Sequence, residues 1–297
     1  MAITLLQYEI FRAVVDSGSF TKAGDKLGLS QSAVSHAIKG LEAELNLTLL
    51  HRGRSGISLT SEGEVMIDYA RQILNLAEEM KQEAGRLNGL EVGTLRIGTF
   101  PSVSAYLLPS VLEKFHAAYP GIHVEFHEGG YMELKQMVSS NIIDIGFLTS
   151  DDAGNLDFIP LFEDYLQVIL PGNHPLRTKK QISVRDIASY PFIMPKGGCD
   201  DLIKQLFARH HLKPKVYCEI ADNQAIIAMV QKNLGISIIP ELVAHGHHDG
   251  LSRARLKEEC FRTVGLALPA HKQVSPAVSA FITLTKSVVG DHKSRWS

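Results

Sequence analysis

The sequence predicts an α/β protein in three parts: a small helical head, one long helix, and a larger body built from two similar halves. Three patterns carry this. Between Leu5 and Leu45 apolar residues recur at helical spacing, with glycines marking the breaks. From Met66 to Leu87 they alternate strictly by four and three. Beyond Leu95, strand-like runs alternate with helix-like ones, the signature of a parallel α/β sheet. The 297 residues, 45% hydrophobic and 21% charged, are ordinary globular material for about two folding units. A net charge of −2 supplies no global field for nucleic acid or membrane, so any such partner must be met locally.

In the head, Leu5, Leu6, Ile10, Phe11, Val14 and Val15 repeat as a first helix that Gly18 ends, and Ser19 can cap the next. Ala23, Gly24 and Leu27 would face inward from a short second helix, Gly28 permits a tight turn, and Ser30 stands as N-cap of a third helix starting at Gln31. Val34, Ile38, Leu41 and Leu45 give that third helix one buried face. Two helices joined by a glycine turn make a helix-turn-helix. The opposite face carries Gln31, Ser32, Ser35, His36 and Lys39, all able to hydrogen-bond base edges or phosphates in a major groove. Such a face can equally be solvated. Charge does not decide, because the basic Arg12, Lys22, Lys26, Lys39, Arg52 and Arg54 nearly balance Glu9, Asp16, Asp25, Glu42 and Glu44. The continuation does: in LTLLHRGRSGISLT, two short apolar runs flank a Gly-rich basic turn, a β-wing that would carry Arg52 and Arg54 to the DNA backbone.

The run SGSFTKAGDKLGLSQSAVSHAIKGLEAELNLTLLHR, followed by LTSEG, resembles the N-terminal domain of the LysR-type transcriptional regulators, a family of winged helix-turn-helix proteins. It departs from the family pattern at Gly24, where a second Ala is more usual, at Leu50, where Phe is, and at His36, where a basic residue is common. The resemblance implies a linker helix that pairs subunits into a dimer or tetramer. The residues agree with that expectation. Ser61 and Glu64 fit a capping box, and Met66, Ala70, Ile73, Ala77, Met80, Ala84 and Leu87 form a heptad seam rich in alanine. A rod of about 37 Å would set two reading helices at half-sites about 34 Å apart.

Gly89 and Gly93 mark the boundary to the body. There TLRIGTF, LLPSVLEKFHAAYP, IHVEFHEG, YMELKQMVSSN and IDIGFL form one α/β series, and LQVILP, PFIMPKGG, CDDLIKQLFARHHL, KVYCEIAD, NQAIIAMVQKN and GISIIPEL a second. Returning the final strand and helix, in TVGLALPAHKQVSPAVSAFITLTKSVV, to the first series makes the chain cross twice, near Glu163–Leu166 and near Val264–Leu266. This is the architecture of the type II periplasmic binding proteins, and the resemblance implies the same for the effector domain. The expected division is a winged helix-turn-helix over 1–60, a linker helix over 61–90 and an effector-binding domain over 91–297. Its subdomain I is 91–163 with 267–297 and its subdomain II 164–266.

In open α/β sheets ligands sit outside the carboxyl ends of the strands, against helix N-termini, which favour anions. Those edges here are TFPSVS, LTS, PKGGCDD and ADNQA, offering Thr99, Ser102, Val103, Ser104, Thr149, Pro195, Gly197, Gly198 and Cys199. A small carboxylate or other oxyanion is the expected ligand class, although each residue singly could be a plain cap or turn. By resemblance, Thr99 and Ser102 line one side of the inducer cleft, and Thr149 with the Pro195–Cys199 turn the other. Cys199, at a helix N-terminus beside Lys196, would have a lowered thiol pKa, which leaves open an oxidant-sensing switch with Cys218 as partner. Asp200 and Asp201 oppose it. The cluster His245–His248 could bind a transition metal or simply be solvated.

Other classes fit less. The three cysteines form no C-x-x-C pair, no apolar run reaches a membrane span and the start lacks a basic leader, so the expected location is the cytoplasm without membrane partner. A cytoplasmic solute-binding protein remains as an alternative. An enzyme is not expected: G-x-S-x-G, P-loop and strand-linked G-x-G-x-x-G motifs are missing, and Glu128 and Asp144 are isolated carboxylates. The expected partners are an inverted-repeat DNA duplex, a small anionic effector and further copies of the chain, with RNA polymerase as a candidate and no cofactor.

Overall fold

In a computed structural model, residues 3–53, 56–87, 92–244, 250–270 and 274–296 are described, with the backbone alone for Arg52, Arg86 and 292–296. The head consists of α1 (Leu5–Ser17), α2 (Phe20–Leu27), α3 (Gln31–Leu45), β1 (Leu50–Gly53) and β2 (Gly56–Leu59). Its local chemistry follows the sequence closely. Thr4 and Gln7 form a capping box on α1, Gly18 and Gly28 end α1 and α2 in the left-handed conformation, and the Ser19 and Ser30 hydroxyls accept from Lys22 and Ala33 amides. Phe11, Val14, Ala23, Val34, Ile38 and Leu41 close the core, while Leu5 and Leu6 remain about half exposed. Glu42 ties α3 to the wing, its Oε1 accepting the Leu49 and Leu50 amides at 2.9 and 3.3 Å.

Gly24 has a structural reason. A Cβ there would stand 2.5 Å from the Leu29 carbonyl oxygen, inside the turn that joins α2 to α3. Gly24→Ala is therefore expected to destabilise the head by about 1–3 kcal/mol through overpacking. Thermal unfolding followed by circular dichroism checks this, and an unchanged transition would show that the turn yields.

The linker α4 (Ser61–Leu87) starts one residue away from the expected cap: the Thr60 hydroxyl accepts from Gly63 at 2.9 Å, while Ser61 is already in the helix and donates to Glu62. Its apolar residues occupy two faces. Ile67, Ala70 and Leu74 are buried against the protein's own domains, whereas Val65, Tyr69, Ile73, Leu76, Met80 and Leu87 are exposed. The expected seam thus mixes the two faces. Ala70 belongs to the head core and Met66 packs against it, and Val65, Tyr69 and Leu76 take their places on the outward stripe. The inward face is also polar: Asn75 donates to the Asn141 carbonyl (3.0 Å), Gln82 donates to the Thr94 carbonyl (3.0 Å), and Arg71 pairs with Asp16 (2.9 Å).

The body runs β3 (Gly93–Thr99), α5 (Pro101–Tyr106), α6 (Leu108–Ala118), β4 (Ile122–Glu128), α7 (Tyr131–Ser139), β5 (Ile145–Thr149), α8 (Ser150–Ala153) and β6 (Asp157–Pro171). It continues with β7 (Gln181–Ile182), α9 (Val184–Ile187), β8 (Pro191–Pro195), α10 (Asp200–Arg209), β9 (Lys215–Ile220), α11 (Asn223–Gln231), β10 (Ser237–Pro240) and α12 (Glu241–Ala244). The chain closes with β11 (Leu251–Leu256), β12 (Phe261–Leu268) and α13 (Pro276–Trp296). In the first subdomain the strand order is β4-β3-β5-β12-β6. In the second it is β9-β8-β10-β6-β11, with β8 joined to β10 through a parallel bridge at Phe192 and Ile236. The two orders are the same pattern of three parallel strands followed by two antiparallel ones, as the internal repeat predicts.

One strand serves both halves. The first part of β6 pairs with β12 and its last part with β10 and β11, so the first crossing passes through Glu163–Leu166 inside a continuous strand. The second crossing lies at 257–260, earlier than Val264–Leu266. From Phe261 onward β12 already pairs with the first half of β6, and Val264–Ala267 pair with β5. Helix α13 returns to subdomain I, where Phe281 packs on Phe115 and Phe147. Among the described residues no helix is long and apolar enough to cross a membrane.

Candidate DNA-reading face and effector cleft

On the head, Gln31, Ser32, His36 and Lys39 are exposed along α3, with Ser35 half-buried beside them. Ser30 is exposed too, but its hydroxyl is occupied, capping α3 and lying 2.9 Å from the Ser32 hydroxyl. The start of α3 and the wing enclose an open groove of about 670 Å³, lined by Gln31, Ser35, Thr21, Gly53 and Ile57. In the wing Arg52 lies opposite Ile57 in the β1–β2 register. Arg54 lies outside the described residues, as do His245–His248. Among the described residues no group of three or more metal-ligating side chains occurs.

The cleft between the subdomains is organised by a residue that belongs to no sequence motif, Arg262. Arg262 of β12 is 6% exposed. Its Nε and Nη2 donate to Asp164 Oδ2 at 3.0 and 2.7 Å, Nη2 also donates to Ser102 Oγ at 2.9 Å, and Nη1 donates to the Tyr131 hydroxyl at 2.5 Å. The Phe100 ring lies under the guanidinium, 4.9 Å from its centroid, with the Tyr131 ring against its edge. Asp164, 2% exposed, uses its other oxygen to accept the Leu242 amide at the start of α12. The Arg262 charge also acts on the buried Cys199 thiol. Arg262 therefore gathers Ser102 and Tyr131 from subdomain I and Asp164 from the strand that joins the two halves.

The expected cleft residues divide accordingly. Ser102 accepts from Arg262, and Cys199 is buried as the N-cap of α10. Thr99 and Thr149 end β3 and β5 and are buried, Thr99 accepting from Ser104 (3.3 Å) and Thr149 donating to Asp152. Pro195 ends β8 and Gly197 is an exposed turn residue with φ +76°. Val103 and Gly198 are not free donors: Val103 is core with its amide on the Phe100 carbonyl (2.9 Å), and the Gly198 amide donates to Asp200 (3.2 Å). Asp144 is not isolated, since it accepts the Arg96 amide at 2.8 Å. Tyr131 follows the carboxyl end of β4, the edge at which ligands of open sheets bind, so its place is legible in the sequence order.

Cys199 departs from its expected chemistry. Burial pushes its thiol pKa up, and the favourable Arg262 charge does not overcome that. The helix end is not enough. Burial likewise pushes the Cys260 thiol up, to about 11. A raised pKa means less thiolate at neutral pH, so Cys199 and Cys260 should both react slowly in Ellman titration of the native protein at pH 8. Mass mapping of the labelled cysteines checks it, and prompt labelling of Cys199 would favour the oxidant-sensing alternative.

Residues 88–290 match the family model described as the LysR substrate binding domain, and residues 5–64 match that of the bacterial regulatory helix-turn-helix proteins of the lysR family. The HTH-type transcriptional regulator YvbU of Bacillus subtilis strain 168 is 34% identical over 97% of this chain and 99% of its own. Among solved structures, a full-length OxyR variant from Pseudomonas aeruginosa superposes with a TM-score of 0.76 at 21% identity, over 97% of this chain and 98% of that one. Full-length CbnR in complex with its target DNA gives 0.65 at 22%, over 96% and 99%. With a lysR-type reading head at one end and a two-subdomain effector-binding fold at the other, the chain belongs to the LysR family of DNA-binding transcriptional regulators.

Proposed function

We propose that two copies of this chain, paired through the outward stripe of α4, set their α3 helices into successive major grooves of an inverted-repeat operator, and that a small anion in the Arg262 cleft changes how the subunits are arranged. The observation that carries the DNA half is the open groove between the start of α3 and the wing, with exposed polar side chains along one helix face. Gln31, Ser32, Ser35 and His36 are assigned to base edges, and Ser30, Lys39, Arg52 and Arg54 to phosphates. For the effector to act it must bind one arrangement better, typically by about 1–3 kcal/mol of coupling. The promoter-bound assembly would then act in the cytoplasm, on RNA polymerase.

Retention of sheared genomic DNA from the source organism, followed by sequencing, tests the whole reading. A few enriched sites sharing an inverted repeat are expected, and no enrichment even at low salt would reject it. Residue roles separate in competition binding. Ser35→Ala should cost about 1–3 kcal/mol on the operator and little on scrambled duplex. Arg52→Ala should weaken both alike and reduce the salt slope by about one. Equal losses for Ser35→Ala on both duplexes would remove it from the base-reading set.

A further inference from the structure

A charged hollow lies outside the cleft, on the sheet of subdomain II. The chain as a whole carries a net charge of −2, yet β11 and the residue after it read LSRARLK, three basic residues without a carboxylate. Alternation along the strand puts Arg253 and Arg255 on one face, about 6.7 Å apart. Directly across the ladder from Arg255 stands Gln167 of β6, so its side chain shares that face. Arg253, Arg255, Gln167 and Glu241 line an open hollow of about 350 Å³, and Lys180, the residue before β7, joins them from the edge of the sheet. Little of this charge is neutralised. Arg253 Nη1 donates to the Ala244 carbonyl at the end of α12, which orients the guanidinium. Among the described residues Arg255 and Lys180 pair with no carboxylate. Asp186 is taken by Lys179 at 2.7 Å, and Glu258 accepts the Val184 amide. The carboxylate that lines the hollow, Glu241, accepts from Gln167 Nε2 at 2.7 Å, while Gln167 Oε1 accepts from no group among the described residues.

From this we infer that the hollow is a binding site for the phosphate monoester of a small polyol, with Arg253, Arg255 and Lys180 on the phosphate and Glu241 and Gln167 on the hydroxyls. Three cations around one carboxylate favour a dianion, and a phosphate ester carries about −1.5 to −2 at pH 7 on three acceptor oxygens. A guanidinium fork matches two of those oxygens at once, and an ammonium takes the third as a point charge. Glu241 sets the other half of the ligand. A carboxylate can only accept, so it opposes a bare anion and rewards a molecule that carries hydroxyl donors beside its phosphate. The volume suits one compact molecule, at the small end of ligand sites. The hollow shares no residue with the Arg262 cluster, but Leu242, next to Glu241, gives its amide to Asp164. A bound molecule therefore braces the start of α12 from outside the cleft, while the Arg262–Asp164 pair holds it from within.

Ribose 5-phosphate is the probe, titrated into the full-length protein by calorimetry beside ribose, inorganic phosphate and succinate. Ribose 5-phosphate should bind, ribose should be silent, and the two bare anions should bind about tenfold more weakly or less. Arg255 and Lys180 are exposed and unpaired among the described residues, so Arg255→Gln and Lys180→Gln spare the fold. Each should weaken the sugar phosphate by about tenfold or more. At about a hundred times its Kd the probe should raise the thermal midpoint of the unaltered protein by several degrees, and that of Arg255→Gln by less at the same concentration. No binding at millimolar concentration would overturn the site. So would affinity that survives in Arg255→Gln and falls in Tyr131→Phe, which would move the molecule into the Arg262 cleft. Succinate bound as tightly as the sugar phosphate would overturn the phosphate assignment, and inorganic phosphate bound as tightly would remove the roles of Glu241 and Gln167. None of these readouts involves DNA, so their failure leaves the regulator reading where it stands.

Discussion

Arg262→Ala is expected to lower the thermal midpoint of the full-length protein by about 10 °C. The substitution leaves the Asp164 carboxylate, 2% exposed, without its cation, and breaking a buried pair from one side costs about 3–5 kcal/mol. Each kcal/mol displaces the midpoint of a domain of this size by about 2–4 °C. The loss is not mainly that of the attraction. It is the price of a stranded charge. Arg262→Met combined with Asp164→Leu removes both charges and should recover much of the midpoint. Recovery should stay incomplete, because Asp164 also accepts the Leu242 amide and Arg262 supports Ser102 and Tyr131. Circular dichroism melts of the three proteins check this order. A double variant no more stable than Arg262→Ala would mean that the hydrogen bonds, rather than the charge pair, hold the hinge.

The same residue shows where sequence legibility ends. The head could be read because its determinants are local: Gly18, Ser19, Gly28 and Ser30 act on amides within a few positions of themselves. The repeat of the body was legible because each strand–helix unit carries its own periodicity. Arg262 reads as one charged residue in a short strand. Its partners Asp164, Tyr131 and Ser102 lie 98, 131 and 160 positions away, distances at which pattern carries no information. Cys199 failed differently. The helix-end rule predicts a lowered thiol pKa, but the side chain is buried in the subdomain II core, and desolvation outweighs the helix end. In α4 the heptad period was correct for a helix with one apolar face, yet this helix has two. Periodicity alone could not say that Ala70 turns inward and Leu76 outward.

That outward face leads to the change with the largest effect on DNA binding, Leu76→Asp. Leu76 is 66% exposed and Met80 70%, in line with Val65, Tyr69 and Ile73 along one side of α4. Beside them an apolar hollow of about 950 Å³ opens between α4 and the start of α13, reaching Val274, Pro276 and Ala280. In the proposed dimer this apolar stripe is the surface through which the two copies meet. Across a symmetric interface a charge at Leu76 would bring its own copy into the apolar seam from the other subunit, so both desolvation and like-charge repulsion oppose pairing. Because the residue is exposed in the single chain, the fold itself should survive. Each head would then bind alone. Linked heads exceed single ones by about 10²–10⁴ in affinity, so Leu76→Asp should lose about that factor on an inverted repeat and almost nothing on an isolated half-site. Lys81→Asp makes a larger charge change at an exposed position off the stripe, and should leave both pairing and operator affinity nearly intact. Analytical ultracentrifugation gives the subunit state, and fluorescence anisotropy on whole and half operators gives the two affinities. If Leu76→Asp remained paired, the dimer would have to be held by another surface, and the reach of the two reading helices would be set by that surface instead of by α4.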